Sequence, residues 1–335
     1  MNERSLGGAF DVTEVGLGTW EIGSDWGEVP EDEARAALEA ALDAGITFLD
    51  TADVYGDGRS ERLIRETLAD YDPSGPDAVD PDEVRVATKA GRRLDPHVAE
   101  DYDLAHLERF VDRSRENLGV ETLDLVQLHC PPTDAYYQPE TFDALADLEA
   151  RGKVANYGAS VERVEEGLKA IEYPGVETVQ IIFNPFRQRP AELFFREARK
   201  RDVGVIVRVP LASGLLTGAL SADDEFPEDD HRNFNREGEA FDVGETFAGV
   251  PFETGLEAVE ALRPAVPEGA TMAQFTLRWI LSFDAVSTVI PGSTSPAHVR
   301  ENVAAADLAP PTPEQLERVD EVYEEYVREH VHQRW

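Results

Sequence analysis

The chain has 335 residues, of which 41% are hydrophobic and 30% charged, a balance typical of a folded globular protein. Its formal net charge of −37 would repel nucleic acid and anionic membranes, and its single cysteine excludes an intramolecular disulfide framework. There is no run of about 18 apolar residues, and the first residues lack a basic segment followed by an apolar one. We therefore expect a cytoplasmic protein that binds neither nucleic acid nor membranes.

The acidic excess predicts a halophilic protein. Only four of the 31 basic residues are lysines, so carboxylates dominate the expected surface. Their mutual repulsion would strain a compact fold in dilute buffer, but at molar salt the Debye length shrinks to about 3 Å and the repulsion becomes tolerable. An ordinary acidic protein is the alternative interpretation.

Short runs rich in β-branched residues alternate with helical patterns along almost the whole chain. The predicted strands cover residues 13–18, 46–51, 83–91, 123–129, 154–160, 178–183, 203–209 and 286–292. The intervening helical patterns include residues 31–45 and 103–119, and both end at a glycine. Because helices separate the strands and no two-residue turn joins them, the pattern predicts a parallel sheet.

Eight such units in series favour one (β/α)8 TIM barrel over residues 1–335, a single α/β domain. An open doubly wound sheet is less favoured because GxGxxG is missing after the first strand, and GxxxxGK[ST] is also absent. Two insertions are predicted. Residues 70–83 read as a solvated loop, whereas residues 221–251 follow the seventh strand and either lie over the substrate or form a disordered acidic loop. A C-terminal helix begins after a cap at Thr312.

Four residues that can carry chemistry occur at or just beyond strand ends: Asp50, Tyr55, Lys89 and His129. The active sites of (β/α)8 barrels lie at these carboxyl ends. A buried Lys and a buried Asp at the same end of neighbouring strands predict an ion pair. In a chain with 27 arginines, a lysine here indicates a need for a compact ammonium, which can stabilise a neighbouring phenolate.

These residues lie in segments similar to those of the aldo-keto reductases. GLGTW, GITFLDTADVYGDGRSE, VRVATKAG, LDLVQLH, VPLASGLLTG, LRWIL and VIPGSTSPAHVRENVAAA occur in that family's order over some 290 residues. The resemblance implies an oxidoreductase that interconverts an aldehyde or ketone, possibly a sugar, and its alcohol. Asp50, Tyr55, Lys89 and His129 would form its catalytic tetrad. Tyr55 would be the general acid or base and His129 would orient the carbonyl.

The resemblance also implies the cofactor site. It covers Gly18, Thr19, Trp20, Asp50, Ser160, Gln180, Arg208, Pro210, Leu211, Ser213, Gly214, Leu216, Gly292, Ser293, Thr294, His298, Glu301 and Asn302. Two positions depart from the family pattern. Val161 stands where many family members have an asparagine after the serine that matches Ser160. Arg208 stands where many members have a tyrosine. The Arg208 guanidinium is expected either to stack on the nicotinamide or to pair with a carboxylate.

Ser293, Thr294 and either His298 or Arg300 can contact a 2′-phosphate, which favours NADP(H) over NAD(H). The expected partner is a small carbonyl or alcohol substrate, for which Trp20 and Trp26, with Tyr55 and His129, are candidate contacts. Cys130 and the pair His330 and His332 indicate neither a catalytic thiol nor a metal site. The sequence leaves the substrate, the reaction direction and the oligomeric state open.

Two other functions remain as alternatives. The first is a nicotinamide-nucleotide-sensing subunit of a larger assembly with little turnover. The second is a barrel lyase or isomerase that uses no nicotinamide, which requires the cofactor segments to be coincidental.

Overall fold

The structure is a computed structural model that describes residues 1–23, 29–73 and 75–335. It contains a two-stranded hairpin and an eight-stranded parallel sheet. The hairpin consists of β1 (Glu3–Leu6) and β2 (Phe10–Thr13). The sheet follows chain order and consists of β3 (Leu17–Gly18), β4 (Phe48–Asp50), β5 (Arg85–Ala90), β6 (Leu125–His129), β7 (Tyr157–Ser160), β8 (Val176–Ile182), β9 (Gly204–Arg208) and β10 (Val286–Val289).

The first and last strands of this sheet meet and close it into a barrel. Val15 and Gly18 form parallel bridges to Val289 and Gly292, and the Gly16 amide donates to the Val289 carbonyl at 2.9 Å. All eight predicted strands are present and parallel, so the predicted (β/α)8 barrel is confirmed. Their carboxyl ends meet at one rim, which brings residues from distant parts of the chain together.

Helices surround the barrel. The helices that follow its strands in turn are α1 (Glu31–Asp43), α2 (Arg59–Asp70), α3 (Leu104–Leu118), α4 (Pro139–Ala150), α5 (Val164–Ala170) and α6 (Phe194–Lys200). After β9 come α7 (His231–Phe234), α8 (Phe252–Leu262) and α9 (Met272–Ile280), and after β10 come α10 (Pro296–Ala304), α11 (Pro313–Val322) and α12 (Arg328–Val331). The predicted cap of α11 is confirmed, because the Thr312 side chain accepts the Gln315 amide. No described helix has the length and apolar character needed to cross a membrane.

The N-terminal hairpin was not predicted from the sequence. It closes the amino-terminal end of the barrel, where Leu6 and Val12 are fully buried against the interior residues Phe48 and Leu125. The turn requires Gly7, since its φ is +60° and a Cβ there would collide with a backbone carbonyl oxygen. This end is therefore closed, and access to the interior is left to the opposite rim.

The 221–251 insertion lies at that opposite rim. It consists of turns and short helices, among them α7, and contributes no strand to the barrel. The last residue fixes it: the Trp335 indole donates to Asp242 Oδ1 at 2.8 Å, and the Arg187 guanidinium lies 3.9 Å from the centre of the Trp335 ring. Of the two alternatives left open for this segment, the structure favours the first, because Glu245 and Arg232 line the cavity described below.

Candidate active site

A buried ion pair occupies the carboxyl ends of β4 and β5. Lys89 Nζ lies 2.5 Å from Asp50 Oδ2, and the two side chains are 1% and 4% exposed. The ammonium also donates to the Thr51 carbonyl at 2.8 Å and to Tyr55 Oη at 3.2 Å. Burial lowers the pKa of Lys89, but the attraction of Asp50 and Tyr55 outweighs it and the net pKa is raised. Lys89 is therefore charged, and its three acceptors fix the position of the ammonium.

Tyr55 follows β4 in the loop before α2, with its hydroxyl beside this ammonium. Burial raises the pKa of Tyr55, whereas the charge of Lys89 acts to lower it. The phenol is consequently protonated at neutral pH, and Lys89 reduces the free energy needed to remove the proton. This is the state required of a proton donor with an adjacent cation.

His129, the last residue of β6, lies across from Tyr55, and the ring centres are 5.9 Å apart. Its pKa is well below the usual value because of burial, with the charges of Arg92 and Lys89 acting in the same direction. The imidazole is therefore neutral. A neutral ring can donate a hydrogen bond to a carbonyl oxygen from one nitrogen.

A further polar layer supports Asp50 from inside the barrel. Gln180 Nε2 donates to Asp50 Oδ1 at 2.7 Å and Gln127 Nε2 at 3.4 Å. Ser160 Oγ donates to Gln180 Oε1 at 3.3 Å. The carboxylate thus has donors on both oxygens, as a buried polar group requires. Ser160 and Gln180, two of the expected cofactor residues, thus contact the tetrad through Asp50.

A cavity of about 520 Å³ extends from these residues across the rim. The whole tetrad and sixteen of the eighteen expected cofactor residues line it. The exceptions are Leu216, which is fully buried in the core, and Thr294. Trp20 lines the cavity, whereas Trp26 lies outside the described residues. The elongated cavity, which runs from the tetrad to His298, Glu301 and Asn302, fits a dinucleotide.

The loop after β9 supplies one wall of the cavity in a strained conformation. Val209, Ala212, Ser213 and Gly214 all have positive φ, from +48° to +97°. For a β-branched residue such as Val209 this is a true outlier, and such strain concentrates at ligand-binding sites. The loop fits the diphosphate end of a dinucleotide, because turns of this kind can direct backbone N–H groups toward an anion.

The sequence analysis missed Glu21, which lines the same cavity. Burial raises the pKa of Glu21 to about 7, and the charge of Arg232 opposes the shift. Its carboxyl accepts the Thr294 amide, in the loop that follows β10. Glu21 directly follows Trp20, a predicted contact, and this adjacency was the signal available in the sequence.

Arg208 pairs with carboxylates, which is the second of the two arrangements expected for it. Its Nη2 donates to Glu162 Oε2 at 2.9 Å, and its Nη1 lies 3.3 Å from Glu245 Oε2. Arg92 joins the same group through Glu245 Oε1 at 2.7 Å. These contacts engage the edge of the Arg208 guanidinium, and stacking of its face on a nicotinamide stays a prediction. We name Arg92, Glu162, Arg208 and Glu245 the charged cluster.

Aromatic side chains border the tetrad on the insertion side. The Trp20 ring centre is 6.2 Å from Tyr55, 4.9 Å from His231 and 5.8 Å from Phe241. His231 and Phe241 belong to the insertion, so this segment forms part of the wall around Tyr55. An apolar wall of this kind excludes water from the Tyr55 hydroxyl.

The remaining reactive groups have protein partners. Cys130 Sγ lies 3.5 Å from Ser160 Oγ and from Arg208 Nη2, and burial raises the pKa of its thiol. A protonated thiol is a poor nucleophile. His332 contacts the Tyr323 hydroxyl at 2.9 Å and Arg328 at 3.2 Å. Both histidine nitrogens are thus occupied by protein groups.

The barrel, the tetrad and the elongated cavity define a class: an oxidoreductase on a (β/α)8 barrel. Residues 14–324 match the model of the Aldo/keto reductase family. The chain belongs to that family and is an NAD(P)-dependent oxidoreductase.

Three proteins of known sequence illustrate the relationship. An uncharacterized oxidoreductase of Bacillus subtilis is 27% identical over 94% of both chains. The NADP(+)-labelled aldo-keto reductase yakc of Schizosaccharomyces pombe is 26% identical over 88% of this chain and 84% of its own. The probable voltage-gated potassium channel subunit beta of Arabidopsis thaliana is 25% identical over 96% of both. Among solved structures, the glycerol dehydrogenase of Gluconobacter oxydans superposes with a TM-score of 0.77, 28% identity and coverage of 97% and 96%.

Proposed function

We propose that the protein reduces an aldehyde or ketone with NADP(H), and that Tyr55 donates the proton. The contact between Lys89 Nζ and Tyr55 Oη carries this proposal, because a cation buried beside a phenol serves proton transfer. A bound dihydronicotinamide supplies hydride to the carbonyl carbon. Tyr55 gives its proton to the carbonyl oxygen, and Lys89 stabilises the phenolate that results.

The other tetrad members position these groups. Asp50 holds the Lys89 ammonium at 2.5 Å and so fixes its distance from Tyr55. Neutral His129 donates to the carbonyl oxygen and sets its direction, so that the carbon faces the nicotinamide. In the oxidative direction the same phenolate accepts the alcohol proton, with Lys89 lowering the barrier.

The cofactor residues divide along the cavity. Gly18, Thr19, Ser160 and Gln180 would hold the nicotinamide end, and the loop from Pro210 to Gly214 the diphosphate. Ser293 and His298 would hold the adenosine end, supported by Arg300. Hydroxyl and basic groups there favour a 2′-phosphate, and thus NADP(H) over NAD(H).

Steady-state oxidation of NADPH with a panel of aldehydes and ketones tests the proposal. Tyr55→Phe removes only the proton donor, so we expect turnover to fall by about 100-fold or more. Binding of NADPH, measured by its fluorescence, should change little. Comparable turnover in Tyr55→Phe would contradict the role of the phenol.

A nucleotide-sensing subunit is the second candidate, favoured by the similarity to the plant channel subunit. In this case NADPH binds tightly, turnover is negligible with every carbonyl compound, and the protein associates with a larger assembly. The intact tetrad favours the enzyme. Single-turnover measurement of bound NADPH with excess aldehyde separates the two candidates.

We also propose that the protein is halophilic, on the net charge of −37, and cytoplasmic, because its single cysteine fits a reducing compartment. Transfer from molar KCl to dilute buffer should lengthen the range of carboxylate repulsion from about 3 Å to about 30 Å at 0.01 M. Circular dichroism should then show loss of helix. Unchanged spectra in dilute buffer would contradict halophilic adaptation.

A further inference from the structure

Two members of the charged cluster share the cavity with the tetrad. Arg208 and Glu245 line the cavity together with Tyr55 and His129. The charge of Arg92 lowers the pKa of His129, and the charge of Glu245 acts on both Tyr55 and His129. A group bound among these side chains would therefore lie next to the reacting carbonyl. The tetrad chemistry uses none of the four.

Two guanidinium groups hold one carboxylate in this cluster. Arg92 Nη2 contacts Glu245 Oε1 at 2.7 Å, and Arg208 Nη1 contacts Oε2 at 3.3 Å, so each oxygen of Glu245 has its own arginine. Planar guanidinium groups recognise carboxylates through such paired contacts. The geometry around Glu245 is thus that of a carboxylate-binding site.

The cluster places two cations beside the site although the protein is strongly acidic. Arg208 contacts Glu162 at 2.9 Å and Glu245 at 3.3 Å, and Arg92 contacts the same two carboxylates at 3.5 Å and 2.7 Å. The attraction of Arg92 and Arg208 holds the pKa of Glu245 well below its usual value, although burial acts to raise it. Without the Glu245 carboxylate, two guanidinium groups would face only Glu162, and this imbalance favours another anion in its place.

Glu245 lies outside the barrel strands, so movement of its side chain would break no hydrogen bond of the sheet. It belongs to the insertion, in the single turn Val243–Glu245, and is not part of a strand. The backbone of that turn is held independently: Ser213 Oγ donates to the Glu245 carbonyl at 3.1 Å and accepts the Phe247 amide at 3.1 Å. Rotation about the side-chain bonds of Glu245 would move its carboxylate and leave these backbone contacts in place.

We propose that Arg92 and Arg208 bind a carboxylate of the substrate, and that the Glu245 carboxylate is an internal surrogate for that group. The preferred substrates are then aldehydes or ketones that carry a carboxylate a short distance from the carbonyl. This inference rests on the proposed reductase function. A neutral carbonyl compound leaves Glu245 in place and gains nothing from the two arginines.

The test compares 4-carboxybenzaldehyde with methyl 4-formylbenzoate, which places a neutral ester where the acid has its charge. We expect wild type to prefer the acid, measured as kcat/KM at fixed KCl. Arg92→Met should lower the ratio of acid to ester by about 30-fold or more, as expected for loss of one partner of a buried charged contact. Glu245→Gln, which weakens the internal competitor, should lower KM for the acid more than for the ester.

Arg196→Met is the matched control, because it removes the same charge from a side chain that is 63% exposed and pairs only with Glu197 among the described contacts. Its acid-to-ester ratio should equal that of wild type. An unchanged ratio in Arg92→Met would overturn the inference. If Arg92→Met does not fold, Arg92→Lys keeps the charge without the planar fork, and it should still lose most of the preference.

A binding measurement separates this inference from the reductase function. Isothermal titration of benzoate and benzamide into the protein with NADP+ requires no turnover. Benzoate binding that Arg92→Met abolishes supports the site even if neither aldehyde is reduced, in which case only the reductase function fails. Equal affinity for benzoate and benzamide would overturn the site even if both aldehydes are reduced.

Discussion

The buried pair of Lys89 and Asp50 gives the most quantitative prediction. Lys89→Met leaves the Asp50 carboxylate, 4% exposed, without its counter-charge. Removal of one partner of a buried pair costs about 3–5 kcal/mol in free energy of unfolding. Gln180 and Gln127 still donate to Asp50 Oδ1, so we expect the lower end, about 3 kcal/mol. Asp50→Asn should have a similar effect, because it leaves the buried ammonium with neutral acceptors only.

The double variant, Lys89→Met with Asp50→Asn, removes both charges. Its free energy of unfolding should fall by less than the sum of the decreases in the two single variants, with a coupling energy of about 2 kcal/mol or more. The assay is equilibrium unfolding in urea at constant KCl, followed by circular dichroism. The exposed pair Arg263 and Glu260, 2.8 Å apart, is the matched control and should give a coupling below about 1 kcal/mol. Additive losses at Lys89 and Asp50 would refute the reasoning.

Three further predictions concern pH and the insertion. Because the pKa of His129 is well below 6.5, protonation of this ring should not lower kcat/KM for reduction between pH 8 and 6.5. A fall of kcat/KM near pH 6.5 that disappears in His129→Gln would contradict the neutral imidazole. Burial raises the pKa of Asp53 from 3.8 to about 7, so the folded state binds more protons and stability falls as pH rises through this window. Asp53→Asn should remove that fall, at most about 4 kcal/mol by urea unfolding at pH 4.5 and 7.5, and parallel pH profiles would contradict it. Trp335→Ala removes the contact to Asp242, so limited proteolysis within residues 221–251 should accelerate, whereas unchanged cleavage would show that other contacts hold the segment.

The strands, and the meeting of Asp50, Tyr55, Lys89 and His129 at one rim, could be predicted because their signals are local. Each strand is a short β-branched run between helical patterns, and the carboxyl ends of parallel strands meet at one rim. Lys89 and Asp50 lie at such ends, and we expect them to pair because burial of an unpaired charge costs free energy. Gln180 shows the limit of this reasoning, since its contact with Asp50 Oδ1 crosses the barrel interior and depends on side-chain direction.

The hairpin and the charged cluster could not be predicted in the same way. Residues 3–13 lack the helix-separated spacing that identified the other strands, and their role depends on closing a barrel that must first exist. Arg92 and Glu162 lie two residues beyond β5 and β7, so their distance from the strand ends was a usable signal. Glu245 gave none, because only the folded insertion brings it between two arginines.

Transfer of deuterium from 4-deuterated NADPH to benzaldehyde tests the central claim most directly. The claim is that Asp50, Tyr55, Lys89 and His129 meet beside the nicotinamide and act as one proton-donating unit. We predict that a single turnover of wild type places deuterium on the carbinol carbon of benzyl alcohol, and that Tyr55→Phe with equal NADPH bound forms labelled alcohol at least about 100-fold more slowly. Labelled alcohol formed at equal rates by both proteins, or by neither, would contradict the account.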